Sequence, residues 1–433
     1  MKAWPTPASL VTEAVLSEPV RLAKQQVFRG IRLLRREPST LEVFVRLNDP
    51  YSLLLLRELP ALLEAFSVEL RLHWLTDTVP PEYEPNADKR ARYATRDAAL
   101  LAAALGDGFD PQPAAAMHDA VAAILVAITE QAQDDWLGQL IVLAEAWWAS
   151  DTVQLAPAIE RIEPYGLEKA RQHGRRAIER LLELGHYEAA SLYYDGSWYV
   201  GVDRLEHLLV RLDRLGLIAK RDAARRLRTR QRALRPSIAR SGVADIEFFF
   251  SFRSPFSYLA AATTFALAKA GTLNVQFRPV LPMVKRGQPL PTIKRNYIVA
   301  DANREARRLG VPFGRVADPL DAVEDLIRVA KLAEREGRTA DYVLAVGEAC
   351  WARGIDLARS ENLVTAAAEA GLRPRAVERA LGDDTPLAEA AQNMQHLNAA
   401  GLWGVPSFRI GTRAFFGQDR LALMLNEANV EGT

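Results

Sequence analysis

Much of this 433-residue chain is written twice, and that constrains its fold more than any other feature. LEVFVRLNDPYSLLLL, from Leu41, sets against DIEFFFSFRSPFSYLA, from Asp245. Each is an apolar run, a turn carrying Pro-aromatic-Ser, and the start of a helix, with Asp49 falling on Ser254. Further along, Tyr93, Asp97 and Gly106 meet Tyr297, Asp301 and Gly310, and Glu145-Ala146-Trp147-Trp148 meets Glu348-Ala349-Cys350-Trp351. Last, Gly201-Val202-Asp203-Arg204-Leu205 meets Gly417-Gln418-Asp419-Arg420-Leu421. Four collinear matches point to a tandem duplication, so any fold must be one that a chain of half this length can complete.

Each copy runs strand, helix, strand (VELRLHWL and LNVQFRPVL), a long helical stretch, a hairpin-like pair of short strands and a closing helix. A helical block inserted in that frame is the plan of a thioredoxin-like fold. The expected class is therefore α/β, with two tandem thioredoxin-like domains, each carrying a helical insertion. The expected boundaries are an N-terminal amphipathic helix in 1–40, a degenerate domain in 41–216, a basic helix and linker in 217–243, and a second domain in 244–433. The first helix is expected over Leu10 to Glu37 with a kink at Pro19. The second is expected over Ala219 to Leu234, ended by Pro236 and Ser241-Gly242. Both basic helices have the charge to meet an acidic partner or a membrane surface, or simply to present a solvated face.

Composition narrows the partners. With 49% hydrophobic and 25% charged residues and a net charge of +1, the chain lacks the basic excess that nucleic-acid affinity needs. Glu13 and Glu18 interrupt the first apolar stretch, and no apolar run is long enough to span a bilayer. A cytoplasmic protein is the expectation. Cys350 is the single cysteine and forms no internal disulfide; it reads as a small buried hydrophobe. Six scattered histidines, without a pair at ligand spacing, predict no metal site.

The chemistry is expected at Ser254-Pro255-Phe256-Ser257. It follows the apolar run Ile246 to Phe250 and opens a small-residue helix, which places Ser254 at the N-cap and Pro255 at the first helical position. A helix N-terminus has unpaired N–H groups and partial positive charge, so it can hold a thiolate or another anion.

FSFRSPFSYLA, KRNYIVADANR, CWARGIDL, GVPSFRIG and FFGQDRL, in that order from Ala244 to about Asn429, resemble the DsbA-like branch of the thioredoxin superfamily. Within it they are most similar to 2-hydroxychromene-2-carboxylate isomerases and kappa-class glutathione transferases. Where DsbA-like oxidoreductases have Cys-x-x-Cys, this chain has Ser254 and Ser257, which form no disulfide and exclude thiol-disulfide exchange. The resemblance implies that the sulfur belongs to glutathione, the implied cofactor, with Ser254 donating a hydrogen bond to its thiolate. It further implies that Val405, before a cis Pro406, presents its backbone to the glutathione cysteinyl unit. Gln418 and Asp419 would receive the γ-glutamyl end, and Lys294 would meet a carboxylate. Gln288 stands where the kappa-class pattern has asparagine, which leaves glutathione affinity less assured. Lowering a thiol pKa from about 8.5 to about 6.5 needs about 2.7 kcal/mol. A hydrogen bond to a charged group supplies about 1.5–3 kcal/mol, and a helix N-terminus adds about 0.3–1.

Each residue also has a plain reading: Ser254 and Asp419 as caps, Pro406 as a strand-edge residue, Lys294 as a surface charge. The first copy is a control, because Asp49 replaces the serine and Ala190 stands where Pro406 aligns. A carboxylate there would oppose a thiolate. The expected function is a glutathione-dependent isomerase acting on an electrophilic, aromatic-derived small molecule. The alternatives are a kappa-type transferase and a non-catalytic tandem binding module. The first copy is expected to act as a degenerate partner, making the chain an intrachain pseudo-dimer or part of a homo-oligomer.

Overall fold

The computed structural model describes residues 6–76, 79–109, 111, 118–131, 135–160, 164–238 and 242–430; Ser241, read above as linker, lies outside them. The chain forms two compact units. One comprises 24–236, and the other joins 1–23 to 237–433.

In the unit 24–236, strands β1 (Thr40–Val45), β2 (Glu69–Trp74), β3 (Ser191–Tyr194) and β4 (Ser197–Val200) form a sheet in the order β2-β1-β3-β4. β1 is parallel to β2 and antiparallel to β3, which is antiparallel to β4. The central β1 is buried from Leu41 to Val45, as its mostly apolar pattern requires, with Glu42 buried among the apolar residues, and helix Pro50–Ala65 buries Leu53 to Leu56, Leu59 and Leu62. The basic helix, read from sequence as part of a linker segment, is Arg221–Arg232, and it is built into this unit. Ala223, Ala224 and Leu227 are buried, while Arg230 and Gln231 both donate to the buried Glu58 carboxylate.

In the second unit, β5 (Ala244–Phe250), β6 (Leu273–Pro279), β7 (Ser407–Ile410) and β8 (Arg413–Phe416) take the order β6-β5-β7-β8, with the same pattern of parallel and antiparallel pairs. Its core is aromatic. Phe248 stacks on Phe408 at 5.0 Å and meets Phe250 edge-on at 5.7 Å. Aromatic side chains of this size contribute the most buried apolar area per residue.

The N-terminal segment is two helices where one kinked helix was expected. Pro7–Leu16 ends at Ser17, and Glu18–Leu34 begins with Pro19 in its first turn, where a missing N–H costs no helical bond. The first helix is tied into the C-terminal unit. Thr6 N–H donates to the Gly354 carbonyl (2.9 Å), Val316 N–H to Thr12 Oγ1 (3.0 Å) and Asn303 Nδ2 to the Leu16 carbonyl (2.8 Å), and Glu13 pairs with Arg315 (2.7 Å). Among the described residues no helix is long and apolar enough to cross a membrane, and no group of histidine, cysteine and carboxylate side chains could hold a metal ion.

Candidate active site at the tip of helix 255–269

β5 delivers the chain to the turn 251–254 at its carboxyl end, and helix Pro255–Lys269 leaves from there. Ser254 is the N-cap with extended backbone, and its Oγ accepts from Ser257 N–H at 3.1 Å. Pro255 holds the first helical position, where its lost donor is harmless. The second serine, Ser257, is fully buried and faces back into the turn, its Oγ accepting from Ser251 N–H at 3.4 Å. Only Ser254 is therefore placed to meet a ligand.

The loop before β7 closes on the same point. The Val405–Pro406 peptide is cis, and Ser254 Oγ donates to the Val405 carbonyl at 3.4 Å. Among the described residues neither Phe256 N–H nor Val405 N–H has a protein acceptor, so two backbone donors stand beside the Ser254 hydroxyl. Gly404 is needed here because a Cβ would lie 2.9 Å from the Phe416 ring, which stacks on Trp403 at 5.0 Å. Gly417, at φ 100°, turns the chain out of β8 and donates its N–H to the Pro406 carbonyl at 2.8 Å.

Gln418 and Asp419 sit in the 3-10 turn Gln418–Arg420 that opens helix Leu421–Val430, and this turn packs against helix 255–269. Gln418 Nε2 donates to Glu305 at 3.3 Å. Glu305 is fully buried in helix Thr292–Leu309 and is also held by Arg308 at 2.6 Å. Lys294 lies half-buried in the first turn of that helix, about 16 Å along the axis from Glu305 at 1.5 Å per residue. The structure thus gathers Ser254, the Val405–Pro406 loop and the Gln418–Arg420 turn with Asp419 as three adjoining segments, with Lys294 at the far end of a bordering helix. Gln288 is half-buried in the loop after β6.

Other groups bound what chemistry is available. Cys350 is buried in helix Thr339–Trp351, and burial pushes its thiol well above the usual range, so it supplies no thiolate. His396 is exposed on helix Thr385–Ala399. Tyr258 is buried, donates to the Pro312 carbonyl at 3.2 Å and packs its ring where a Gly347 Cβ would stand. Its hydroxyl is pushed up by burial, and Glu348 and Cys350 add to the shift. Sequence reading passed over Tyr258 and Glu305. For Glu305 a signal existed, since it stands one helical turn beyond Asp301, which the duplication had already marked.

The corresponding turn of the unit 24–236 is built differently. Asp49 is the N-cap of helix Pro50–Ala65 without capping through its side chain; instead Ser52 Oγ donates to Asp49 Oδ2 at 2.7 Å. Burial raises the Asp49 carboxyl even though Ser52, Arg90 and Arg46 favour its charged form. Arg46 and Arg90 extend the cluster to Glu84 (3.7 and 3.9 Å), and Arg90 also pairs with Glu188 (2.6 Å). Ala190, at φ 51°, accepts from Gly201 N–H at 2.7 Å, the bond that Pro406 makes with Gly417.

Residues 245–428 match the family model of the DSBA-like thioredoxin domain. The chain is 27% identical over 186 residues to a 2-hydroxychromene-2-carboxylate isomerase from Sphingobium xenophagum, covering 41% of this chain and 93% of that protein. It is 27% identical over 190 residues to one from Pseudomonas putida, with 41% and 91% covered. A solved 2-hydroxychromene-2-carboxylate isomerase structure superposes on 43% of this chain and 95% of its own, at 25% identity and a TM-score of 0.38.

Proposed function

We propose, starting from a C-terminal half that is a DSBA-like thioredoxin domain with 2-hydroxychromene-2-carboxylate isomerases among its relatives, that this chain is a glutathione-dependent isomerase of that type. The observation that carries the reading is the placement of Ser254 Oγ at a helix tip, 3.4 Å from the Val405 carbonyl and flanked by the unbonded Phe256 and Val405 N–H groups. Those donors suit the thiolate and the cysteinyl amide of glutathione respectively.

Residues of this chain would hold the tripeptide as follows. Val405 pairs with the cysteinyl backbone, Gln418 and Asp419 receive the γ-glutamyl end, Lys294 meets a carboxylate, and Ser254 turns its hydroxyl from Val405 to the sulfur. When bound, glutathione would supply a thiolate for reversible addition to a conjugated double bond, which would free that bond to rotate without a redox step. The stacked Trp403 and Phe416, both half-exposed beside Val405, offer an aromatic wall for a planar substrate. The cytoplasm, where reduced glutathione is maintained, is the compartment that fits.

We infer further that the unit 24–236 is a degenerate thioredoxin-like duplicate. Matching strand orders, the paired Ala190 and Pro406 carbonyls and the equivalent Ser52 and Ser257 support this. Its ion cluster around Asp49 fills the place where a thiolate would sit. Titrating glutathione while following tryptophan fluorescence tests the proposed function, since Trp351 and Trp403 lie in the C-terminal unit. Saturable binding below millimolar concentration is expected, and no binding at millimolar glutathione would leave a thioredoxin-like module without this chemistry.

A further inference from the structure

β5 and β6 are parallel neighbours joined at their ends by the Val280 N–H to Phe250 carbonyl bond at 2.8 Å, so the loops that follow them leave the same edge of the sheet side by side. In parallel arrangements that edge is where ligands collect. Three cations stand on these two loops, Arg253 on the first and Lys285 and Arg286 on the second. Arg253 is clamped by Asp318 through two 2.7 Å bonds, and Lys285 pairs with Glu324 at 3.2 Å, both acids coming from one short stretch of chain.

Arg286 is left over. It lies half-buried in the 3-10 turn Met283–Arg286, and its Nε donates to its own loop at the Leu281 carbonyl, 3.2 Å away. Among the described residues no carboxylate pairs with it and nothing accepts from its terminal nitrogens. Loss of water on burial holds its pKa below the ordinary guanidinium range, with no counter-charge to offset that loss. A partly desolvated cation without an anion is costly to keep, and a planar two-nitrogen fork matches a carboxylate.

We propose that Arg286 is the anchor for a carboxylate on the second substrate, held on the loop beside the Ser254 turn. The proposal rests on the isomerase reading for the identity of that substrate, but the ion pair itself does not require glutathione. It assigns specificity to a residue outside the set Ser254, Val405, Gln418 and Asp419.

The test uses chromone-2-carboxylate, a planar and unreactive probe, against chromone-2-carboxamide, each titrated into the full chain with and without glutathione. Wild type is expected to prefer the carboxylate by about tenfold or more, the worth of one charge-assisted pair. Arg286→Gln is expected to bind both probes alike, and Arg286→Lys to restore part of the preference, while glutathione affinity stays as in wild type. If Arg286 only packs its stem over the loop, Arg286→Gln will keep the carboxylate preference, and the proposal is overturned. A wild type without preference overturns it equally. Failure of glutathione to bind, with an Arg286-dependent preference intact, would instead remove the thiol chemistry and leave the anchor standing.

Discussion

At the scale of single residues, the proposed chemistry depends on where sulfur can come from and on how tightly the Ser254 turn and the cis-proline loop meet. Cys350 is sealed in the core with its thiol pushed up, so Cys350→Ala is expected to retain glutathione-dependent turnover within about twofold. Loss of turnover in a variant that still melts cooperatively would show that the sulfur is the protein's own. Gly404→Ala tests the loop. A Cβ 2.9 Å from the Phe416 ring forces the ring or the Trp403–Pro406 segment to move, with an expected cost of about 1–3 kcal/mol in stability. Glutathione affinity should fall at the same time, by about tenfold, as read by titration alongside urea unfolding. Stability lost without affinity would show that the loop does not touch the ligand.

At the scale of elements, both sheets carry a buried glutamate on their central strand with cations across it. Glu42 on β1 is bonded by His73 on β2 (3.1 Å) and twice by Arg180 (2.7 and 3.0 Å). Glu247 on β5 is bonded by Arg278 on β6 and by Arg409 on β7. Burial alone would raise the Glu42 carboxyl, but the bonds from His73 and Arg180 outweigh it and hold the pKa at about 2. Since that lies below the ordinary value of 4.5, the contribution is present above about pH 4.5 and is lost as pH falls toward 2. The urea midpoint of the 24–236 unit should therefore fall on acidification from about pH 5 to about pH 3, and Glu42→Gln should flatten that fall while lowering the midpoint near neutrality. An unchanged acid slope in Glu42→Gln would refute the assignment.

These elements also show what sequence could and could not reveal. The strands and the Ser254 cap were legible because apolar runs and Ser-Pro encode local geometry, whereas the cis Val405–Pro406 peptide was implied by the family resemblance alone. The Glu42 and Glu247 clusters were not legible, because their partners are distant in sequence and a lone glutamate in an apolar run gives no sign of its ion pair. The same holds for Arg286, whose significance is the lack of an anionic partner among the described residues, which only three dimensions reveal.

At the scale of the whole molecule, the chain's first helix belongs with its last domain. Four contacts, from Thr6, Thr12, Glu13 and Leu16, tie it to Gly354, Val316, Arg315 and Asn303. The sequence reads it as one helix with the residues up to Glu37, in a segment of its own, because amphipathic periodicity says which face is apolar but not what covers it. A fragment of 237–433 is accordingly expected to melt several degrees higher when a peptide of residues 6–17 is added in excess, and a melt indifferent to the peptide would contradict this placement. The basic helix Arg221–Arg232 was likewise read as connecting, yet its Arg230 and Gln231 close on Glu58 and complete the unit before it.

The most direct measurement on the central claim is the ionisation of glutathione bound to the full chain, followed by thiolate absorbance against pH in wild type and in Ser254→Ala. The bound thiol of the wild type should titrate near 6.5, about two units below its free value, and that of Ser254→Ala should rise by at least one unit. Equal values in the two proteins would contradict the account.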